Sequence, residues 1–258
     1  MIIDSHCHLT YEPMSKSLTE TINRANKDGV KYMLTISTED KSFDKIIKII
    51  SEHKSVYGTY GIHPHEAKFH QNIKISHIIK KIDLNKKIIG IGETGLDFYY
   101  NHSEKNAQIS CFEEHIYAAQ KKNLPLIVHT RSAEKETFEI LQKHVKKKDF
   151  KILIHCFTGT REFAFKLIDL GAYISASGVV TFKNSHDLAN TFKDLPNNKI
   201  LVETDAPYLA PVPLRGKPNE PSYIIHTVKF LSELKKLSFD EFSNITSNNF
   251  FNLFGKLK

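Results

Sequence analysis

Cysteine is scarce in this sequence: Cys7, Cys111 and Cys156 are the only three in 258 residues, and no pair has CxxC spacing. An odd, unclustered set excludes a disulfide-stapled domain and a thiolate zinc finger, and it predicts reduced thiols in a cytoplasmic protein. No run of eighteen apolar residues occurs, which excludes a membrane-spanning helix and predicts no membrane partner. The opening residues Met1-Ile2-Ile3-Asp4-Ser5-His6 lack the basic and apolar regions of a signal peptide, so secretion is not expected. There is no fixed-period repeat and no low-complexity linker, which favours a single domain over residues 1–258. Arginine is also rare, with only Arg24, Arg131, Arg161 and Arg215 among 36 basic residues.

What is present is an ordinary globular composition, 40% hydrophobic and 25% charged, with a net charge of +7. That is enough to bury a sizeable core and excludes a disordered chain. The basic balance permits a polyanionic partner without requiring one. Short, β-branched apolar runs recur at Ile2-Ile3, Tyr32 to Ile36, Val56 to Tyr60, Ile88 to Ile91, Leu126 to Val128, Ile152 to Ile154, Ala172 to Ile174, and Ile200 to Val202. Their separation is the length of a strand-helix unit. Between Ser103 and Asn123, the residues Ile109, Phe112, Ile116 and Ala119 fall on one helical stripe, with Ser103 as the expected N-cap. Ser132 to Lys147 follows the same rule through Phe138, Leu141 and Val145. Eight such units in a chain of this length predict an α/β fold of the (β/α)8 TIM-barrel class. A doubly wound open sheet built from the same elements is the alternative.

The polar residues that follow these runs carry the chemistry. They read Asp4-Ser5-His6-Cys7-His8, Gly61-Ile62-His63-Pro64-His65, Gly92-Glu93-Thr94-Gly95, His129-Thr130-Arg131, His155-Cys156-Phe157 and Glu203-Thr204-Asp205. Six of the fourteen histidines thus stand at strand C-termini, the face where barrel enzymes place their active sites. Residues at i and i+2 of a strand share a face, so His6 aligns with His8 while Cys7 points away. His129 aligns with Ile127, His155 with Leu153, and Asp205 with Glu203. Imidazole and carboxylate without thiolate suit Zn²⁺, Mg²⁺, Mn²⁺, Ni²⁺ or Fe²⁺. His6, His8, Glu93, His129, His155 and Asp205 make six donors, more than one catalytic zinc uses, and therefore point to two divalent ions with Glu93 as the natural bridge. Glu203 is read as orienting a ligand imidazole, and His63 and His65 as orienting groups, phosphate contacts or turn residues beside Pro64.

Arg131, Arg161 and Arg215 follow ligand strands closely, and a guanidinium fork grips phosphate oxygens in pairs. Phe157 and Gly159, in the loop Cys156-Phe157-Thr158-Gly159-Thr160, could add backbone donors at a helix start. These features predict an anionic substrate. The lysine runs Lys121-Lys122 and Lys146-Lys147-Lys148 read instead as solvated partners of helix C-termini.

Taken in order, Asp4-Ser5-His6-Cys7-His8-Leu9, Gly61-Ile62-His63-Pro64, Gly92-Glu93-Thr94-Gly95-Leu96-Asp97, His129-Thr130-Arg131, His155-Cys156-Phe157-Thr158-Gly159 and Glu203-Thr204-Asp205-Ala206-Pro207-Tyr208-Leu209 resemble the TatD family of metal-dependent deoxyribonucleases, which are amidohydrolase-like barrels. The resemblance implies one ion on His6, His8, Glu93 and Asp205 and a second on Glu93, His129 and His155. It further implies 3′ to 5′ hydrolysis of single-stranded DNA, or DNA with free ends, by a hydroxide shared between two metals, with Glu93 and Asp205 catalytic. A cytoplasmic repair or degradation role is implied, with no obligate protein partner. Pro218 stands where family members more usually carry arginine. Alternative functions on the same centre are another metal-dependent hydrolysis, such as deacylation of D-aminoacyl-tRNA, or a catalytically silent nucleic-acid binder.

Overall fold

The computed structural model describes residues 1–255. All eight apolar runs form strands: β1 (Ile2–Cys7), β2 (Val30–Thr35), β3 (Val56–Tyr60), β4 (Ile88–Asp97), β5 (Leu126–Arg131), β6 (Ile152–Ile154), β7 (Tyr173–Ala176) and β8 (Ile200–Val202). Helices separate them: α1 (Leu18–Lys27), α2 (Phe43–Glu52), α3 (Ile75–Ile82), α4 (Lys105–Lys122), α5 (Glu134–Val145), α6 (Arg161–Asp169), α7 (His186–Asp194) and α8 (Ile224–Lys235), with a further α9 (Phe239–Phe254). Three strands outrun their apolar cores. β1, β4 and β5 continue through His6, Glu93 and His129, so these groups stand on strands and not on loops.

The chain forms two compact units, one of residues 1–35, 155–165 and 173–258, the other of residues 36–154 and 166–172. In the first, β7 pairs with β8 and β1 with β2, all parallel, while a Cys7–Ala206 bridge joins the β1 end to the segment after β8. The last strand therefore lies beside the first, which an open doubly wound sheet does not allow. In the second unit β3, β4, β5 and β6 pair in chain order, again parallel, with α3, α4 and α5 as the crossovers that parallel neighbours require. The fold is the (β/α)8 barrel.

Packing follows the apolar periodicities. Phe43, Ile46, Ile49 and Ile50 of α2 are buried, as one helical face should be. α9 begins with a capping box in which the Ser238 hydroxyl accepts from the Glu241 N–H and the Glu241 carboxylate accepts from the Ser238 N–H. The helix expected from Ser103 starts one residue later, capped at Glu104. Ser103 is engaged elsewhere: its hydroxyl donates to the His65 carbonyl at 2.7 Å and accepts from the Lys68 N–H at 3.1 Å. Of the lysine runs, Lys121 and Lys122 occupy the last turn of α4 and Lys146 caps α5. They are not all merely solvated: Lys122 pairs with Asp83 at 2.6 Å and Lys148 donates to the Gln120 carbonyl at 2.6 Å.

Candidate metal centre

In the unit that holds β1 and β8, backbone pairing sets the donors. The Asp205 N–H donates to the His6 carbonyl at 2.9 Å and the His8 N–H to the Ala206 carbonyl at 2.8 Å. Asp205 sits in the left-handed region, φ +54°, a conformation that aspartate tolerates better than most residues. This brings its Oδ1 within 3.3 Å of His8 Nε2 and 3.6 Å of His6 Nε2. Burial would raise the Asp205 carboxyl, but the hydrogen bond from His8 and the charges of His6, His8 and His155 outweigh it and hold it below the ordinary range. The His6 and His155 rings stack at 3.9 Å, and Glu203 Oε1 lies 3.3 Å from His155 Nδ1. Donor atoms of His6, His155 and Glu203 all fall within 4.8 Å of one another.

Beneath them, Asp4 ties the two strands together. It accepts from the His6 N–H at 3.2 Å and the Thr204 N–H at 3.0 Å, and from the Thr204 hydroxyl at 2.6 Å. Burial pushes its carboxyl up to about 7, against the lowering effect of those donors.

The second unit carries another set. Glu93 Oε1 is 3.1 Å from His129 Nδ1 and 3.4 Å from His63 Nε2, and the three side chains meet the spacing a metal ion needs. His63 thus joins Glu93 and His129 as a possible ligand, whereas the sequence suggests an orienting group, a phosphate contact or a turn residue. Behind His129 stands Asp97, whose Oδ2 is 3.2 Å from His129 Nε2 and 2.9 Å from His65 Nε2. A carboxylate behind an imidazole fixes its tautomer and orientation. Burial would raise Asp97, but hydrogen bonds from His129, His65 and the Tyr100 N–H reverse this and hold it far below the usual range.

Two glycines make this arrangement possible. From Ile91 to Thr94, β4 advances three residues while β5 advances two, from Leu126 to Val128, so β4 bulges at Gly92-Glu93. Gly92 has φ +136°, and a Cβ there would lie 2.4 Å from the Ile127 carbonyl oxygen. Gly95, at φ +137°, would place a Cβ 2.0 Å from the His129 carbonyl oxygen. Any side chain at either position would force β4 away from β5 and Glu93 away from His129.

Several supporting residues escaped the sequence reading. Asp97 could have been found, because Glu93, Gly95 and Asp97 alternate along one strand. Gln108 of α4 had no such signal; it clamps the Asp97 backbone, accepting from its N–H at 2.8 Å and donating to its carbonyl at 3.0 Å. His115 of α4 is fully buried and donates through Nδ1 to the Cys111 carbonyl at 2.7 Å. Its Nε2 accepts the Ile62 N–H at 3.2 Å, next to His63. Burial lowers His115 to about 4 from an ordinary 6.5. The unfolded chain therefore binds the extra proton between those values, and the stabilisation present above pH 6.5 is lost as pH falls towards 4. Relative to His115→Leu, the native chain should lose about 3 kcal/mol of unfolding free energy between pH 7 and pH 4. Urea titrations of both proteins at the two pH values measure this; a constant difference would contradict a neutral buried imidazole.

The residues expected to hold an anion divide. Arg131 and Arg215 are exposed, each over aromatic rings: Arg131 lies 4.3 Å from the Tyr99 centroid and Arg215 lies 4.2 Å from that of Phe182. Arg161 instead pairs with Asp194 at 2.9 Å, and Arg24 with Glu220 at 2.6 Å. Phe157 is 2% exposed, packs against Phe163 and Phe192, and donates its N–H to the Ser175 carbonyl, so neither its ring nor its N–H faces a ligand. Gly159 is half-buried, and the adjacent Thr160 hydroxyl accepts from the Phe163 N–H at 3.3 Å.

The donor chemistry fits divalent metal. Glu203 is fully buried, and its Oε2 has no hydrogen-bond partner among the described residues. An unsatisfied buried carboxylate oxygen is costly, and a cation on the neighbouring imidazoles would satisfy it. Comparison with known proteins agrees. Residues 3–255 match the model of the TatD-related DNase family. The chain belongs to the TatD family. This TatD-family chain is 41% identical over 98% of both lengths to BU355, a metal-dependent hydrolase of Buchnera aphidicola from Acyrthosiphon pisum. It is 36% identical to the metal-dependent hydrolase YcfH of Escherichia coli K12, over 98% of this chain and 95% of that one. The crystal structure of the TatD homologue YjjV from Escherichia coli K12 superposes with a TM-score of 0.92 at 25% identity, covering 99% of this chain and 98% of the other. The protein is a metal-dependent hydrolase.

Proposed function

We propose that this hydrolase cleaves DNA phosphodiesters, removing nucleotides from the 3′ ends of single strands in the cytoplasm. The observation that carries the reading is the Glu93–His129–Asp97 relay, in which one carboxylate faces a metal-spaced cluster and a second locks the imidazole from behind. Support comes also from the family's description as DNases and from the exposed Arg131 at the end of β5.

Divalent ions, when bound, lower the pKa of water and neutralise charge that builds on phosphoryl oxygens. The chain supplies the rest. Arg131 holds a flanking phosphate. Asp205, kept ionised by its histidines, accepts the proton of the attacking water. The new bond joins water oxygen to phosphorus and the P–O3′ bond breaks. The terminal nucleotide leaves as a 5′-monophosphate, and the shortened strand keeps a 3′-hydroxyl protonated by solvent. The His6–His155–Glu203 and His63–Glu93–His129 sets would hold the ions, and their nitrogen and oxygen chemistry suits Mg²⁺, Mn²⁺ or Zn²⁺.

A time course on 5′-labelled single-stranded DNA tests this. The expected result is a ladder shortening from the 3′ end, abolished by chelator and restored by added metal. Hydrolysis of D-aminoacyl-tRNA with intact DNA would replace the nuclease reading by deacylation. Binding of DNA without cleavage in Mg²⁺, Mn²⁺ and Zn²⁺ would replace it by a binding role.

A further inference from the structure

The turn after β4 carries an exposed aromatic group that the chemistry above does not use. Tyr99 and Tyr100 are 59% and 48% exposed, although tyrosine rings of this size usually bury most of their surface. Asp97 holds both outward: its Oδ1 accepts the Tyr99 N–H at 3.0 Å and the Tyr100 N–H at 3.1 Å. The same carboxylate, through Oδ2, orients His65 and His129. The two tyrosines are therefore fixed relative to the Glu93 cluster by a single side chain.

Arg131 completes the feature. It pairs with Asp97 in the β4–β5 register, and its guanidinium sits 4.3 Å from the Tyr99 centroid and 4.6 Å from that of Tyr100. Tyr100 in turn stacks on His102, 5.6 Å apart and 12° from parallel. The result is a shelf of exposed aromatic side chains around one cation, joined to the ligand cluster through His65, whose ring lies 5.5 Å from Tyr100.

Such a shelf matches one ligand chemistry. A nucleobase offers a π-face to tyrosine and its phosphate offers charge to arginine, and the combination binds unpaired strands without reading sequence. A base within a duplex has both faces covered by its neighbours, so only an unpaired or frayed nucleotide can use the shelf. We propose that Tyr99 and Tyr100 form a stacking site for an unpaired nucleobase adjoining the scissile phosphate, and that this site selects single strands. The proposal deepens the nuclease reading and rests on it for the position of the phosphate.

The test uses the metal-loaded full chain and a single-stranded oligonucleotide with 2-aminopurine at its 3′ end and uncleavable phosphorothioate linkages. Because the chain has no tryptophan, the 2-aminopurine emission reads stacking without interference. Binding should change that emission. Tyr99→Ala and Tyr100→Ala should each weaken binding on the order of tenfold and reduce the emission change. Tyr99→Phe, which keeps the π-face, should restore both. An oligonucleotide with an abasic 3′ nucleotide should bind native and alanine proteins equally. Unchanged affinity in both alanine variants, equal losses on the abasic strand, or no emission change in the native chain would overturn the stacking site. Cleavage of ordinary DNA by the same proteins separates the two readings. Emission changes that depend on the tyrosines, without any cleavage, would leave the shelf standing and refute the nuclease. Cleavage indifferent to both tyrosines would do the reverse.

Discussion

Replacing Glu93 with alanine should reduce hydrolysis by on the order of 10³-fold or more, equivalent to about 4 kcal/mol of lost transition-state stabilisation. Glu93 is buried, lies within 3.4 Å of His63 and 3.1 Å of His129, and sits on a bulge whose glycines exist to aim it. Without its carboxylate, the two imidazoles lose the anionic donor that would complete a divalent site. Glu93→Gln should be nearly as inactive, because it keeps the shape and loses the charge. Neither substitution should unfold the chain. The removed group is a desolvated carboxylate, and the Glu93 N–H keeps its bond to the Ser37 carbonyl at 2.9 Å. Bound metal by elemental analysis, thermal unfolding and initial rates on labelled DNA together decide the matter. Native rates at saturating metal in either variant would remove Glu93 from the metal centre.

The second large effect is expected at Asp97, which touches neither water nor, by its position, the substrate. Asp97→Asn should weaken metal binding by roughly 10–100-fold, as loss of the carboxylate behind a ligand imidazole generally does. The amide can no longer hold charge opposite His65 Nε2 and His129 Nε2, so His129 is free to rotate away from Glu93. Activity should therefore recover in large part when metal is raised, a response that Glu93→Ala should not show. Metal titrations of activity in the native chain and both variants distinguish an orienting residue from a ligand. An unchanged midpoint in Asp97→Asn would show that His129 is held by packing alone.

The contrast between these two carboxylates marks how far local pattern reaches. Strands and helices depend on periodicities within ten to twenty residues, and Ile127, Leu153 and Leu201 lie buried where alternation places them. The histidines and carboxylates at strand ends are legible for the same reason, since a polar residue at the end of an apolar run is a local anomaly. Element boundaries were less legible. β4 runs on to Asp97 because the bulge and two glycines let it stay paired with β5, and no propensity within β4 announces that.

By itself the sequence determined the eight strand-helix units, the (β/α)8 class, the TatD family and the pool of imidazole and carboxylate donors. Tertiary structure alone decided how the pool is shared: that His63 meets Glu93 and His129, that Asp97 serves His65, His129 and two tyrosines at once, that Phe157 turns into the helical layer, and that Arg161 is occupied by Asp194. The physical reason is range. Hydrophobic alternation and turn chemistry act between neighbours in the chain, whereas the partners of His129 lie 36 and 32 residues away and are set by inter-strand register to a fraction of an ångström. Register depends on which backbones can approach, and here two glycines without side chains settle it.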